Sequence, residues 1–192
     1  MKDGYTKPTK QQAIKMLKAI KRVFDSYNVE FVLVQGLALG YARYKDIMEW
    51  DADDFDLGVF MPVHILTKKE ILRESIKQIL YLLGSPKEFK ENVSLCIKYW
   101  IHKKDYFEYK GGNHIFREHE KWFLHPQRVK FLGTTFLIPD KIEDYLDNHY
   151  GKGWETNIIK DVNDWLDEHD KHPEKYPWPI TKPIKQQYIA VK

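Results

Sequence analysis

Five acidic residues crowd into one short stretch of this 192-residue sequence and lead directly into an apolar strand pattern. They fall within residues 49–56: Glu49, Asp51, Asp53, Asp54 and Asp56. Crowding of like charge destabilises a fold unless cations compensate it. Phe55, Leu57 and Val59 alternate with other residues, which indicates a strand rather than a surface loop. We therefore look for function at this acidic cluster.

Composition is typical of a folded chain with one core. Apolar residues make up 43% of the sequence and aromatic residues 15%, which is costly to leave in water. Cys96 is the one cysteine, so an internal disulfide and a cysteine-only zinc site are excluded. No apolar run approaches the roughly 20 residues of a membrane span, and the first residues lack the apolar run of a signal peptide. We therefore expect a cytoplasmic protein with no membrane span.

The charge balance does not favour a nucleic-acid partner. The chain carries 31 basic and 28 acidic residues, a formal net charge of +3. The basic residues do not gather into one stripe, as they do in chains that bind nucleic acids through the phosphate backbone. We therefore expect no nucleic-acid partner.

Hydrophobic periodicity predicts an α+β domain with a mixed sheet flanked by helices. A capping box of Thr9 and Gln12 precedes the first helix. The predicted helices cover residues 10–27, 37–44, 67–84, 140–151 and 158–169. The predicted strands cover residues 30–34, 55–60, 93–101, 105–109, 129–131 and 135–138, the last four forming two hairpins. We expect one domain over residues 1–172 and an irregular proline-rich tail over residues 173–192.

Asp54 and Asp56 are the strongest candidate functional residues. They are two positions apart at the start of a predicted strand, so their carboxylates project from one face about 6.6 Å apart. Mg²⁺ and Mn²⁺ prefer oxygen ligands, and two carboxylates with substrate phosphates and water suit Mg²⁺ well. A solvated acidic turn is the alternative, but the apolar strand pattern favours a metal site.

Gly36 lies where the preceding strand ends and a short helix begins. Free backbone N–H groups at such a junction are able to hold a phosphate, and a glycine allows close approach. Tight packing between helix and strand explains Gly36 and Gly40 equally well when this segment is taken alone. A glycine at a strand end, a helix, and then two aspartates on the next strand resemble the nucleotidyltransferase superfamily.

Two longer stretches narrow the resemblance. The upstream stretch reads GLALGYARYK at residues 36–45 and WDADDFDLG at residues 50–58. The downstream stretch contains FLG at 131–133, IP at 138–139, YL at 145–146 and HYGKGW at 149–154. Together they resemble, in the right order, the LicD/fukutin family of phosphotransferases, over most of residues 30–155.

The resemblance implies a nucleotidyltransferase-like fold and a reaction class. Members of this family move a phosphorylated alcohol, such as phosphocholine or ribitol phosphate, from a CDP-linked donor to a glycan. It also implies that Asp54 and Asp56 hold Mg²⁺ or Mn²⁺ and that Gly36 contacts phosphate. A third acid from a later strand is expected at Asp105, with Glu108 as its competitor, in a catalytic or metal-binding role.

The resemblance assigns further residues to substrate binding. Leu37 stands where the family usually has a small hydroxyl residue, so backbone amides would hold the phosphate there. Arg43 matches a basic residue of the signature and is assigned to donor phosphate, although balancing the helix dipole and the acids is an alternative role. Ala52 is one residue more than the family pattern, which leaves the roles of Asp51 and Asp53 open.

Weaker signals remain alternatives. Trp50 and Trp100 are candidates to line a pocket beside the acids, as a face for a nucleobase or a choline group. The run from Glu118 to Glu120 lacks the compact spacing of zinc motifs, so we interpret its histidine as a surface or packing residue. Two other functions stay open: transfer of a nucleoside monophosphate from an NTP to a small molecule or protein, and non-catalytic binding of a nucleotide or a protein.

Overall fold

The computed structural model describes residues 7–60, 74–75, 94–111 and 114–156. Its helices are α1 (Lys10–Ser26), α2 (Gln35–Tyr44) and α3 (Ile142–Tyr150). Its strands are β1 (Phe31–Leu33), β2 (Asp54–Phe60), β3 (Ser94–His102), β4 (Tyr106–Gly111), β5 (His114–His119), β6 (Gln127–Phe131) and β7 (Thr134–Ile138). The predicted helix over 158–169 and the proline-rich tail lie outside the described residues. So does the predicted helix over 67–84, apart from residues 74 and 75, which are helical.

The seven described strands form one mixed sheet in the order β5-β4-β3-β2-β1-β7-β6. β2 pairs parallel with β3, and β1 pairs parallel with β7. The remaining four pairings are antiparallel, including the two hairpins β3–β4 and β6–β7. The expected α+β class, mixed sheet and both hairpins are therefore confirmed.

α1 covers one face of the sheet. The side chain of Thr9 accepts a hydrogen bond from the backbone N–H of Gln12, and the side chain of Gln12 accepts one from the backbone N–H of Thr9, so the predicted capping box is present. Ala13, Leu17, Ile20 and Phe24 recur at helical spacing and are fully buried. They pack against the inward side chains of β1 and β2, which are Phe31, Leu33, Phe55, Leu57 and Val59. Each large side chain buried this way contributes about 1.5–3 kcal/mol.

α2 and α3 lie on the opposite face of the sheet. Val32 and Val34 point to this side because side chains alternate along β1, and they pack with Ala38 of α2 and with Tyr145 and Leu146 of α3. Aromatic residues of β3, of β4 and of the turn after β5 extend this second core: Trp100, Phe107, Tyr109, Trp122 and Phe123. The same alternation places Asp54 and Asp56 on the α2–α3 side, away from α1.

β5 is a strand that the sequence analysis did not predict. It pairs antiparallel with β4 over its whole length, from Gly111 opposite His114 to Tyr106 opposite His119. Polar residues occupy both of its faces, with Phe116 and Glu118 on one side and Arg117 and His119 on the other. The period-two contrast between polar and apolar faces is therefore absent from this stretch.

Candidate active site

Asp54 and Asp56 meet beside the turn that leads into α2. Both side chains are half-buried, and the Asp56 side chain is 13% exposed. The backbone N–H of Val34, the residue before α2, donates to the carbonyl oxygen of Asp56 at 3.2 Å. This hydrogen bond joins the start of β2 to the glycine turn, which is the first turn of α2 and contains Gln35 and Gly36. The two carboxylates thus share one face of the strand, as the sequence predicted, next to Gly36.

Lys98 of β3 is ion-paired with Asp56. Lys98 lies opposite Gly58 in the parallel β2–β3 register, which puts it on the same face as the two aspartates. Its Nζ is 2.5 Å from Oδ1 of Asp56 and also donates to Oε1 of Gln35, the first residue of α2. The Lys98 side chain is only 4% exposed. Removing one partner of such a buried pair costs about 3–5 kcal/mol, so Lys98 fixes Asp56 firmly.

The carboxylate of Asp51 lies against Gly36. A Cβ at position 36 would lie 1.9 Å from Oδ2 of Asp51, so a larger residue there would displace the Asp51 carboxylate. The preceding residue, Gln35, has a φ of 48°, and its backbone N–H donates to the hydroxyl of Tyr145 at 3.1 Å. Leu37 is buried in the α1-side core, so only its backbone faces the turn. The glycine turn is therefore contacted by Asp51 and Tyr145 and, through Gln35, by Lys98.

Asp51 is an acid whose pKa is raised by its surroundings. Its pKa is raised to about 7, first by burial and then by the negative charges of Asp54 and Asp56, against the lowering effect of Lys7. The sequence left the role of Asp51 open. The structure places it within electrostatic reach of both aspartates of the pair and in contact with the glycine turn.

Tyr150, the last residue of α3, belongs to the same group of side chains. Burial raises the pKa of its hydroxyl well above the ordinary value, and the charges of Asp56, Asp51 and Asp54 add to the effect. Arg43 of α2 acts in the opposite direction on the same hydroxyl. The downstream motif of the sequence, which contains Tyr150, is thus brought to the acids and to Arg43.

The two tryptophans expected beside the acids have different surroundings. Trp50 is 57% exposed, and its ring lies edge-on to Tyr44 with 6.3 Å between centroids. Its carbonyl accepts a hydrogen bond from Lys7, whose Nζ lies 2.7 Å from Asp53. Trp100 is 1% exposed and packs on Phe123 with 4.0 Å between centroids. Trp100 is therefore part of the core, and the expectation that it offers a face to a ligand is corrected.

The structure does not bring Asp105 or Glu108 to the pair. Asp105 is exposed in the turn after β3, and β3 runs six residues past Cys96, the residue level with Asp56, before that turn begins, which corresponds to about 20 Å along a strand. Glu108 lies on β4 opposite Ile101, so it projects from the other face of the sheet, where Arg117 binds it at 3.2 Å. The expected third acid is corrected accordingly: neither residue is placed to share a metal ion with Asp54 and Asp56.

A different acid, Glu118, is buried on the face that carries the pair. Glu118 of β5 lies opposite Phe107 and shares its side of the sheet. Burial raises its pKa to about 7, and the positive charge of Lys98 partly opposes this. The sequence predicts surface or packing residues around it, because residues 114–119 show no clear period. The burial of Glu118 is evident only when the pairing register of β4 and β5 is known.

The donor set at the pair fits a hard divalent cation. Asp54 and Asp56 offer carboxylate oxygens, and a cation bound there would offset the negative charges that, after burial, raise the pKa of Asp51. In the described part of the chain, no group of three or more His, Cys, Asp or Glu side chains forms a ready metal site. Two carboxylates completed by substrate phosphates and water is the coordination that Mg²⁺ commonly accepts.

No protein-family model matches the chain, and the search of curated proteins returned no match either. Among the described helices, none combines the length and the apolar character that crossing a bilayer requires. The geometry of the site therefore carries the functional conclusion.

Proposed function

We propose that this protein is a metal-dependent phosphotransferase of the LicD/fukutin type. It would move a phosphorylated alcohol from a CDP-linked donor to a hydroxyl group, with a glycan as the acceptor that the resemblance implies. The observation that carries the proposal is the pair of half-buried carboxylates, Asp54 and Asp56, on one face of β2 beside the glycine turn.

The topology around the pair supports a nucleotidyltransferase-like fold. β1 leads through Gly36 into α2, and the chain returns in β2, antiparallel to β1, with the two aspartates at its start. β3 then lies parallel to β2 on its other side. The glycine and the acids, 18 residues apart in the sequence, are adjacent in this arrangement, as the superfamily resemblance requires.

The carboxylates of Asp54 and Asp56 would hold Mg²⁺ or Mn²⁺. When bound, the metal supplies positive charge to the donor pyrophosphate and stabilises the leaving nucleotide. Lys98 holds Asp56 in place and neutralises part of its charge. Arg43, whose charge acts on the Tyr150 hydroxyl beside the acids, would bind a donor phosphate through its guanidinium. Backbone N–H groups at the start of α2 would contact the same phosphates.

The decisive assay offers both donor classes to the purified protein. CDP-choline and CDP-ribitol are each incubated with Mg²⁺ and an oligosaccharide acceptor, and CMP release is followed. We expect consumption of a CDP-alcohol and no consumption of NTPs. Consumption of an NTP with release of pyrophosphate would instead support nucleotidyl transfer on the same fold.

Asp54→Asn tests the site directly. We expect transfer to fall at least about 10³-fold, because the carboxylate that binds the metal is lost while the side-chain shape is kept. Asp56→Asn is expected to do the same but also leaves the buried ammonium of Lys98 without a countercharge, so its fold is checked by circular dichroism. Asp25→Asn, on the α1 side and paired with Lys21, is the matched control and should keep full activity. Activity in a folded Asp54→Asn protein would contradict the proposal.

A further inference from the structure

Lys98 occupies a place on β3 that faces the acid pair directly. In the parallel β2–β3 register, Asp54, Asp56 and Gly58 lie opposite positions 94, 96 and 98. Directly opposed residues of neighbouring strands project from the same face of a sheet. β3 therefore presents Lys98 beside the two carboxylates. Its ammonium is buried and bound to Asp56 on one side and to Gln35 on the other.

β3 offers no acid on this face. The positions of β3 that share it are 94, 96, 98 and 100, and their residues are serine, cysteine, lysine and tryptophan. Asp105 and Glu108 lie at the far end and on the other face. Glu118 is two strands away, at the level of Phe107 and of the last residue of β3. Among the described residues, the carboxylates nearest Asp56 are thus those of Asp54, on the same strand, and of Asp51, across the glycine turn.

The buried ammonium of Lys98 reduces the negative charge that the acid pair offers to a metal ion. Lys98 already binds one oxygen of Asp56, so its ammonium occupies a place beside the pair where a second cation would otherwise lie. The pair and the ammonium together carry one net negative charge. One divalent cation reverses this charge, and a second would be placed against both the first cation and the ammonium, on the side where β3 offers no carboxylate.

We propose that Lys98 takes the place of a second metal ion, so that the site binds one divalent cation per chain. This inference rests on the proposed function, since it assumes that Asp54 and Asp56 hold a metal. Lys98 then acts as a positioning residue. It supplies a permanent positive charge at Asp56 and, through Gln35, ties that charge to the turn that receives the phosphates.

The test is the number of Mn²⁺ ions bound per chain, measured by the loss of the free Mn²⁺ signal in electron paramagnetic resonance. The purified full chain is titrated with Mn²⁺ alone. We expect one ion per wild-type chain and none with Asp54→Asn. Two ions per wild-type chain would overturn the inference and leave the proposed function standing. No bound ion at all would overturn the proposed function together with the inference.

Two Lys98 variants sharpen the test. Lys98→Glu puts a third carboxylate beside Asp56, and we expect it to bind two ions. Lys98→Met removes the competing ammonium, and we expect about a tenfold tighter first ion. Lys130→Glu and Lys130→Met, on the exposed edge strand β6, are the matched controls and should bind one ion with wild-type affinity. Weaker Mn²⁺ binding by a folded Lys98→Met protein, or one ion in a folded Lys98→Glu protein, would contradict the role assigned to Lys98.

Discussion

Glu118 illustrates how burial shifts the pKa of a side chain in this fold. Its pKa in the folded protein is raised to about 7 from an ordinary value of 4.5. An acid whose folded pKa is raised favours the folded state most when it is protonated, that is, below pH 4.5. This advantage is lost as the pH rises through 7.

The prediction is that Glu118→Gln is more stable than the wild type at pH 8 and equally stable near pH 4. The difference between the two pKa values corresponds to about 3 kcal/mol, which is the upper bound of the gain at pH 8. Urea denaturation at several pH values measures it. The exposed Glu143→Gln is the control and should show no such pH dependence. A Glu118→Gln protein less stable than the wild type at pH 8 would show that the ionised carboxylate is needed for the fold.

Single residues of the site were predictable where the signal is local. Asp54, Asp56 and Gly36 are recognised because the spacing within one strand and one turn determines where they point. Lys98 and Glu118 were missed, and Asp105 and Glu108 were chosen in their place. Alternation along a strand predicts that neighbouring residues project from opposite faces of the sheet. It does not predict which of these faces carries the acid pair, because that depends on the pairing register of strands some 40 residues apart in the sequence.

At the scale of elements, the contact of β2 with β3 depends on a glycine under an indole ring. A Cβ at Gly58 would lie 2.3 Å from Cη2 of the buried Trp100. We predict that Gly58→Ala destabilises the protein by about 1–3 kcal/mol, because an overpacked core must shift. Chemical denaturation measures this loss.

A double-mutant cycle separates overpacking from a change in strand propensity. In a Trp100→Leu background the ring is gone, so Gly58→Ala should cost much less there. Equal costs in both backgrounds would mean that the contact between position 58 and the indole is not the cause.

The elements themselves were mostly predictable from the sequence. Capping chemistry located α1 to within a residue, and turn chemistry located the β6–β7 hairpin, whose Leu132 and Gly133 both have positive φ. β5 was not predicted because packing on β4, rather than a polar and an apolar face, stabilises it. Its Phe116 ring stacks on Tyr109 at 5.0 Å between centroids, a contact that no local pattern reveals.

At the scale of the whole molecule, the downstream half supports the upstream site. β7 pairs in parallel with β1 at Val32 and Leu137, and α3 delivers Tyr145 to the glycine turn. The sequence predicts a mixed sheet but not this strand order. The parallel pairing of β1 with β7 joins residues about a hundred positions apart, and no local sequence pattern indicates it. This strand order brings the downstream motif, which contains Tyr145 and Tyr150, next to the upstream motif, which contains Gly36 and the two aspartates.

Tyr145→Phe tests that coupling. The variant keeps the buried ring and leaves the backbone N–H of Gln35 without its acceptor, so we predict a loss of about 1–3 kcal/mol in unfolding free energy. Because the same N–H borders the glycine turn, we also expect weaker Mn²⁺ binding and slower transfer. Tyr44→Phe, whose side chain is exposed, is the matched control. An unchanged stability of Tyr145→Phe would show that the hydrogen bond does not hold the turn.

The central claim is that Asp54 and Asp56 jointly hold a divalent cation beside Gly36. A crystal structure of the protein soaked with Mn²⁺ and CDP tests it most directly, through the anomalous scattering of manganese. The account predicts an anomalous peak at about 2.0–2.3 Å from carboxylate oxygens of both aspartates, with the CDP phosphates next to it. Manganese and CDP bound elsewhere on the protein, with no anomalous peak at the aspartate pair, would contradict it.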